Sequence, residues 1–156
     1  MSSKIILPNE FLSLAEDELL NGRSVKLLAD GASMYPFIHG GEDISEIEPI
    51  ASASPLLLWH VYMFKHNGKY VIHRYVGEKE GKFIMEGDSN LNIREIVERR
   101  NVIGHLRYIH KNNGKTIDCS DKSWINRGKI WGKLKPGRKY FLALVRRLYK
   151  YKLISR

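Results

Sequence analysis

"WHVYMFKHNGKYVIHRYV", residues 59–76, constrains this chain more than any other stretch. Two runs of aromatic and β-branched residues meet at Asn67-Gly68. A two-residue hairpin turn needs positive φ at both central positions, and Asn-Gly meets that need best. With this turn, Lys69 pairs with His66, and counting outward sets His73 opposite Tyr62. Side-chain alternation then puts Val71, His73 and Tyr75 on one sheet face, with Ile72, Arg74 and Val76 on the other.

Other hairpin signals follow. "GEKEG" (77–81) reads as a turn returning through "KFIMEGD" (82–88), and "NVIGHLRYIHKNNGKTIDC" (101–119) turns at Asn112-Asn113-Gly114. Residues 7–22 read as an amphipathic helix stopped by Gly22, residues 23–30 as a strand, 51–55 as a loop of small residues, and 89–100 as irregular or briefly helical. The expectation is a mainly β (α+β) domain over 1–120, followed by a basic amphipathic helical tail over 121–156. At 156 residues, 43% hydrophobic and 28% charged, the chain can bury a core of its own.

Composition removes several function classes. A lone cysteine, Cys119, excludes an internal disulfide and any multi-cysteine metal cluster, and reads as a small buried residue. His39, His60, His66, His105 and His110 show no ligand-type spacing, so neither metal nor cofactor is expected. Neither a secretory leader nor an apolar run long enough to span a bilayer is visible, which makes a cytoplasmic protein the expectation.

Within "GASMYPFIHGGED" (31–43), Ser33 follows Gly-Ala and precedes Met-x-Pro. Such a turn presents a hydroxyl and backbone N–H groups to one point, as acyl transfer requires. The alternative is a serine that merely satisfies a turn. His73, likewise, is either a strand histidine packed for structure or a base held on a rigid element.

The order "GASMYP", "GED", "YVIHRYV", "MEGDSN" and "IGHL" resembles the S24/S26 serine peptidases, the superfamily of type I signal peptidases and SOS-repressor-like self-cleaving proteins. The resemblance covers roughly residues 24–118. It implies a partly barrel-like β fold, Ser33 as nucleophile, and His73 as general base, because "VIHRYV" looks like the histidine-base branch. An imidazole, with an ordinary pKa of about 6.5, can take a serine proton near neutral pH. In that branch an aspartate beyond the "GD.N" motif orients the imidazole. Here Arg94 holds that place, so Asp88 is the favoured carboxylate and Glu95 the second, with a Ser-His dyad lacking any acid as a further option. Gly31 stands where some relatives carry an oxyanion-hole hydroxyl, leaving the Ser33 N–H for that role. "LLLWHVYMF" keeps the family's strand without its usual Gly-Asp-Ile-Val opening. The helix at 8–21 carries Glu16, Asp17 and Glu18 and cannot serve as the membrane anchor of signal peptidases.

The implied function is a serine endopeptidase that cleaves a peptide or leader segment through an acyl-enzyme. The competing function is a catalytically inactive relative that binds peptides or acts as a membrane-surface adaptor. A self-cleaving, DNA-linked regulator is disfavoured, since a histidine replaces the lysine base and no helix-turn-helix precedes the body.

Charge divides the chain. Residues 1–100 carry 11 Lys+Arg against 15 Asp+Glu, and residues 101–156 carry 15 against 2. A basic segment bearing tyrosines and leucines either contacts an anionic membrane surface through residues 123–156, at the inner face of the membrane, or folds its apolar face back onto the body. Nucleic acid is the least expected partner, because no binding motif accompanies the charge.

Overall fold

Asn67 and Gly68 both adopt positive φ, 49° and 72°. The hairpin they close has the expected register, His66 opposite Lys69 and Tyr62 opposite His73. In the computed structural model, which describes residues 9–28 and 30–150, this hairpin is the centre of a curled antiparallel sheet. The elements run α1 (Asn9–Leu20), β1 (Val25–Leu28), β2 (Ile44–Pro49), β3 (Val61–His66), β4 (Lys69–Lys79), β5 (Lys82–Glu86) and β6 (Glu95–Val97). A 3-10 turn (Arg99–Asn101), β7 (Val102–His110), β8 (Thr116–Asp118), α2 (Lys122–Lys133) and α3 (Lys135–Lys150) complete them. Strand order is β1-β2-β7-β3-β4-β5-β6, with β8 on β7. The fold is thus mainly β, with strand at 35% against helix at 27%.

Several boundaries depart from the sequence reading. The second turn is only Glu80-Gly81, because β4 continues to Lys79 past an irregularity between Tyr75 and Gly77. Residues 89–100 contain a short strand, β6, whose alternation turns Glu95 and Val97 inward and Ile96 outward. The helical break falls at Leu134, while Pro136 and Gly137 lie in the first turn of α3, where proline has no amide hydrogen bond to lose. The expected start of the first helix, at residues 7–8, and the end of the tail, residues 151–156, lie outside the described residues.

The two faces of β4 do different work. Val71 and Tyr75 join Tyr62, Phe64, Met85, Val97 and Val102 in one apolar cluster. Ile72 joins the larger cluster on the other side, with Ile47, Val61, Met63, Leu106 and Ile109. α1 covers that second core with Ala15 and Leu19, and Trp124 of α2 enters it at 2% exposure.

The C-terminal helices are therefore packed onto the body. Trp124, Gly128 and Trp131 form the buried row of α2 at helical spacing. Each tryptophan removes about 200 Å² from water, on the order of 5 kcal/mol at about 25 cal/mol per Å². That gain decides against a free appendage. The approach is close: a Cβ on Gly128 would lie 2.3 Å from Arg74 Nη1. The Arg74 guanidinium lies there against both members of an edge-on ring pair, 5.0 Å from Phe37 and 5.6 Å from Trp124.

Candidate active site

The serine turn is plugged into the core at both ends. Ala32 C=O accepts from the Tyr35 N–H at 3.1 Å, and Met34 C=O accepts from the N–H groups of Phe37 and Ile38. Met34 and Ile38 are buried, which leaves Ser33 at the rim, half-buried. Asp43, the acid of "GGED", fixes the exit. Its carboxylate accepts from the His39 N–H at 2.7 Å and from Lys111 Nζ at 2.6 Å, and Lys111 also donates to Phe37 C=O. The conformation of "GASMYP" is thus imposed from outside the turn.

His73 is 4% exposed, and its ring faces two groups. Nδ1 lies 2.9 Å from Glu95 Oε2, so the carboxylate assigns the proton to Nδ1 and leaves Nε2 as the acceptor. Nε2 points toward the serine turn. A Cβ on Gly87 would sit 2.9 Å from His73 Nε2 and 2.7 Å from Ser33 C=O. His73 Nε2, Ser33 C=O and Asn90 Nδ2 thus all lie within 3 Å of the point where that Cβ would sit. Gly87 is a glycine because that methyl does not fit.

The loop carrying Gly87 is stitched directly to the serine. Ser89 N–H donates to Ser33 C=O at 2.8 Å, and Ser89 Oγ donates to Ala32 C=O at 2.6 Å. "MEGDSN" is accordingly the piece that sets Ser33 and His73 relative to each other.

Asp88 does not orient His73. Both its oxygens accept from Arg74, at 2.8 Å each, in a pair whose side chains are 1% and 3% exposed. The physical reason is alternation: Arg74 follows His73 in β4 and must face the opposite side, where Asp88 meets it. Glu95 supplies the carboxylate instead, reaching inward from β6, where it is paired with Met85. Arg94, at the place where an aspartate was sought, turns away to Glu86 at 2.8 Å.

The sequence reading missed what holds the loop from behind. Trp131 Nε1 donates to Asp88 C=O at 2.7 Å. Arg138, 1% exposed, donates to Glu86 Oε1 at 2.5 Å and to the carbonyls of Asp88 and Asn90. Glu86 is 3% exposed and gathers Arg94, Lys135 and Arg138 around one carboxylate. A signal existed, since two acids in "MEGD" at an apolar strand end need cations: Arg74 serves Asp88, and the acid-free stretch after Asp121 supplies Lys135 and Arg138 to Glu86.

Comparison with protein-family models, curated proteins and solved structures finds no match. The site is read from its own geometry.

Beside Ser33 opens a cavity of about 460 Å³, lined by Leu27 and Leu28 of β1, Tyr70, Val71 and Ile72 of β4, and Leu12 of α1 among others. Its walls are two strand edges. β1 pairs only with β2, and β4 meets β5 only from Arg74 onward, so residues 69–73 keep one backbone edge without a strand partner among the described residues. Nor does any described group accept a hydrogen bond from the Ser33 N–H.

The remaining titratable groups are structural. The Cys119 thiol is buried and pushed up to about 12 by that burial, which makes it a poor nucleophile. His60 Nδ1 and His105 Nε2 lie 3.0 Å apart; burial first, then the charges of His60 and Arg107, push His105 down to about 4. Among the described residues no group of three or more His, Cys, Asp and Glu could hold a metal ion.

Proposed function

We propose that this chain is a serine endopeptidase acting on an extended peptide. The observation that carries the reading is His73, with Glu95 on Nδ1 and the serine turn on the side of Nε2. In the reaction, Ser33 Oγ attacks the scissile carbonyl while His73 Nε2 takes the hydroxyl proton. The Ser33 N–H stabilises the oxyanion, and His73 returns the proton to the leaving amine. Water, activated by the same imidazole, then hydrolyses the ester at Ser33. Glu95 holds the ring in one tautomer and stabilises the imidazolium through each step.

The substrate fits as an added strand between β1 and the unpaired edge of β4, with an apolar side chain in the cavity beside Ser33. This arrangement suits a leader or other unfolded segment, whose backbone groups are free to pair with both edges. The fold and chemistry implied by the resemblance to S24/S26 serine peptidases agree with this assignment, with Glu95 in place of the expected aspartate.

A fluorophosphonate probe tests it. The expected result is covalent labelling of the purified protein that disappears in Ser33→Ala and in His73→Ala, with both variants folded by circular dichroism. Labelling that persists in Ser33→Ala refutes the assignment. Absence of labelling, together with saturable peptide binding, identifies a peptide-binding protein without turnover.

A further inference from the structure

Helix α3 is apolar on more than the side it buries. Arg138 and Leu142 face the body and Val145 is half-buried beside them, one row at helical spacing. Tyr140 and Leu144 lie to the other side and remain 69% and 55% exposed, and Phe141, 48% exposed, borders them with its ring edge-on to Trp131 at 5.3 Å. Lys139 and Arg147 are exposed along the same solvent-facing half of the helix. α2 repeats the division: Trp124, Gly128 and Trp131 are buried, while Ile130 and Leu134 are 59% and 53% exposed, with Lys129 and Lys133 beside them.

Soluble proteins scatter single exposed apolar residues, but they rarely repeat them with cations along consecutive helices. From Lys122 to Arg156 the chain contains 12 Lys+Arg and no Asp or Glu, so nothing in this stretch neutralises the field. A helix of this kind, with apolar and aromatic residues beside a cationic flank, lies in the plane of a membrane interface. Among the described residues no helix is long and apolar enough to cross a bilayer, so the fit is to the surface.

We infer that the outer faces of α2 and α3 form a docking surface for an anionic lipid bilayer. Acyl chains take the Tyr140, Phe141 and Leu144 side chains, and headgroup phosphates take the lysines and arginines. Charge complementarity chooses the anionic bilayer, and the exposed leucines separate it from a polyanion, which offers them no apolar medium. The inner faces of these helices hold the Glu86–Asn90 loop through Trp131 and Arg138, so the docked face and that loop lie on opposite sides of one helical layer. The inference stands apart from the peptidase reading, because none of the docking residues touches Ser33 or His73.

Co-sedimentation of the full chain with vesicles provides the test, using phosphatidylcholine alone and equal parts phosphatidylcholine and phosphatidylglycerol. Binding is expected only to the mixed vesicles, weakening as salt is raised. Lys139→Glu and Arg147→Glu should each weaken it by about fivefold or more. Leu144→Ser and Tyr140→Ser, at exposed positions that leave the fold intact by circular dichroism, should also weaken it by several-fold. Ser33→Ala should bind as the wild type does, which separates this result from any result on catalysis. Failure to bind mixed vesicles at low salt overturns the inference. So does binding that responds to charge reversal but not to Leu144→Ser and Tyr140→Ser, which identifies a polyanion such as nucleic acid or an acidic protein.

Discussion

Replacing Asp88 by Asn and Glu95 by Gln should separate two carboxylates that look alike in the sequence. Asp88 neutralises Arg74 through two bonds of 2.8 Å, between side chains 3% and 1% exposed. Asp88→Asn strands a guanidinium against Phe37 and Trp124 with no counter-charge. Breaking one side of a buried pair costs about 3–5 kcal/mol. With a urea slope of about 1–3 kcal/mol per M, the unfolding midpoint should fall by about 2 M. Glu95→Gln keeps an oxygen that can accept from His73 Nδ1, and its side chain is more exposed, at 12%, so the loss should stay under about 1.5 kcal/mol. Its effect should appear in catalysis instead, as a fall of about 10²-fold in kcat/KM or probe-labelling rate. A double variant, Arg74→Met with Asp88→Leu, should recover much of the lost stability, because apolar groups of similar size replace buried pairs with little loss. Urea unfolding followed by tryptophan fluorescence measures all four proteins. If Asp88→Asn shifts the midpoint no more than Glu95→Gln does, the assignment of roles is wrong.

Gly87→Ala should reduce activity by about 10²-fold, since its methyl would press on both His73 Nε2 and Ser33 C=O and misplace the pair. Gly77→Ala, whose Cβ would meet only Ile84 Cδ1 at 3.9 Å, should behave as wild type in the same assay. His105 is held near 4 when folded against an ordinary 6.5, so below 6.5 the unfolded chain binds a proton that the folded chain refuses. Stability should therefore fall as pH drops from 6.5 toward 4, and His105→Gln should flatten that fall in urea midpoints measured across the range. Cys119 should react with a thiol reagent such as dithionitrobenzoate only on unfolding, and a fast native reaction would contradict its burial.

What the sequence made legible was local and alternating. The Asn67-Gly68 turn fixed the register of β3 and β4, and with it the face that His73 shares with Tyr75. The turn that carries Ser33 was legible because Gly31 and Pro36 leave its backbone few conformations. The choice between Asp88 and Glu95 was not, because it depends on where β6 returns and on which side of β4 each carboxylate arrives. A three-residue strand such as Glu95–Val97 carries too little periodicity to be read. Nor was the role of α2 and α3 behind the "MEGD" loop, since pairing Glu86 with Arg138 spans 52 positions that no local pattern records.

His73 and Arg74 are neighbours in the chain and strangers in space. Deleting one residue between the Asn67-Gly68 turn and His73 would bring the Arg74 guanidinium to the place of the imidazole, and adding one would bring the imidazole into the tryptophan-lined slot. Substitution, in contrast, can reach either side chain alone. The length of this hairpin is therefore as constrained as its buried letters, and laboratory selection on it should yield exchanges at exposed positions such as Lys69 and no surviving insertions before His73.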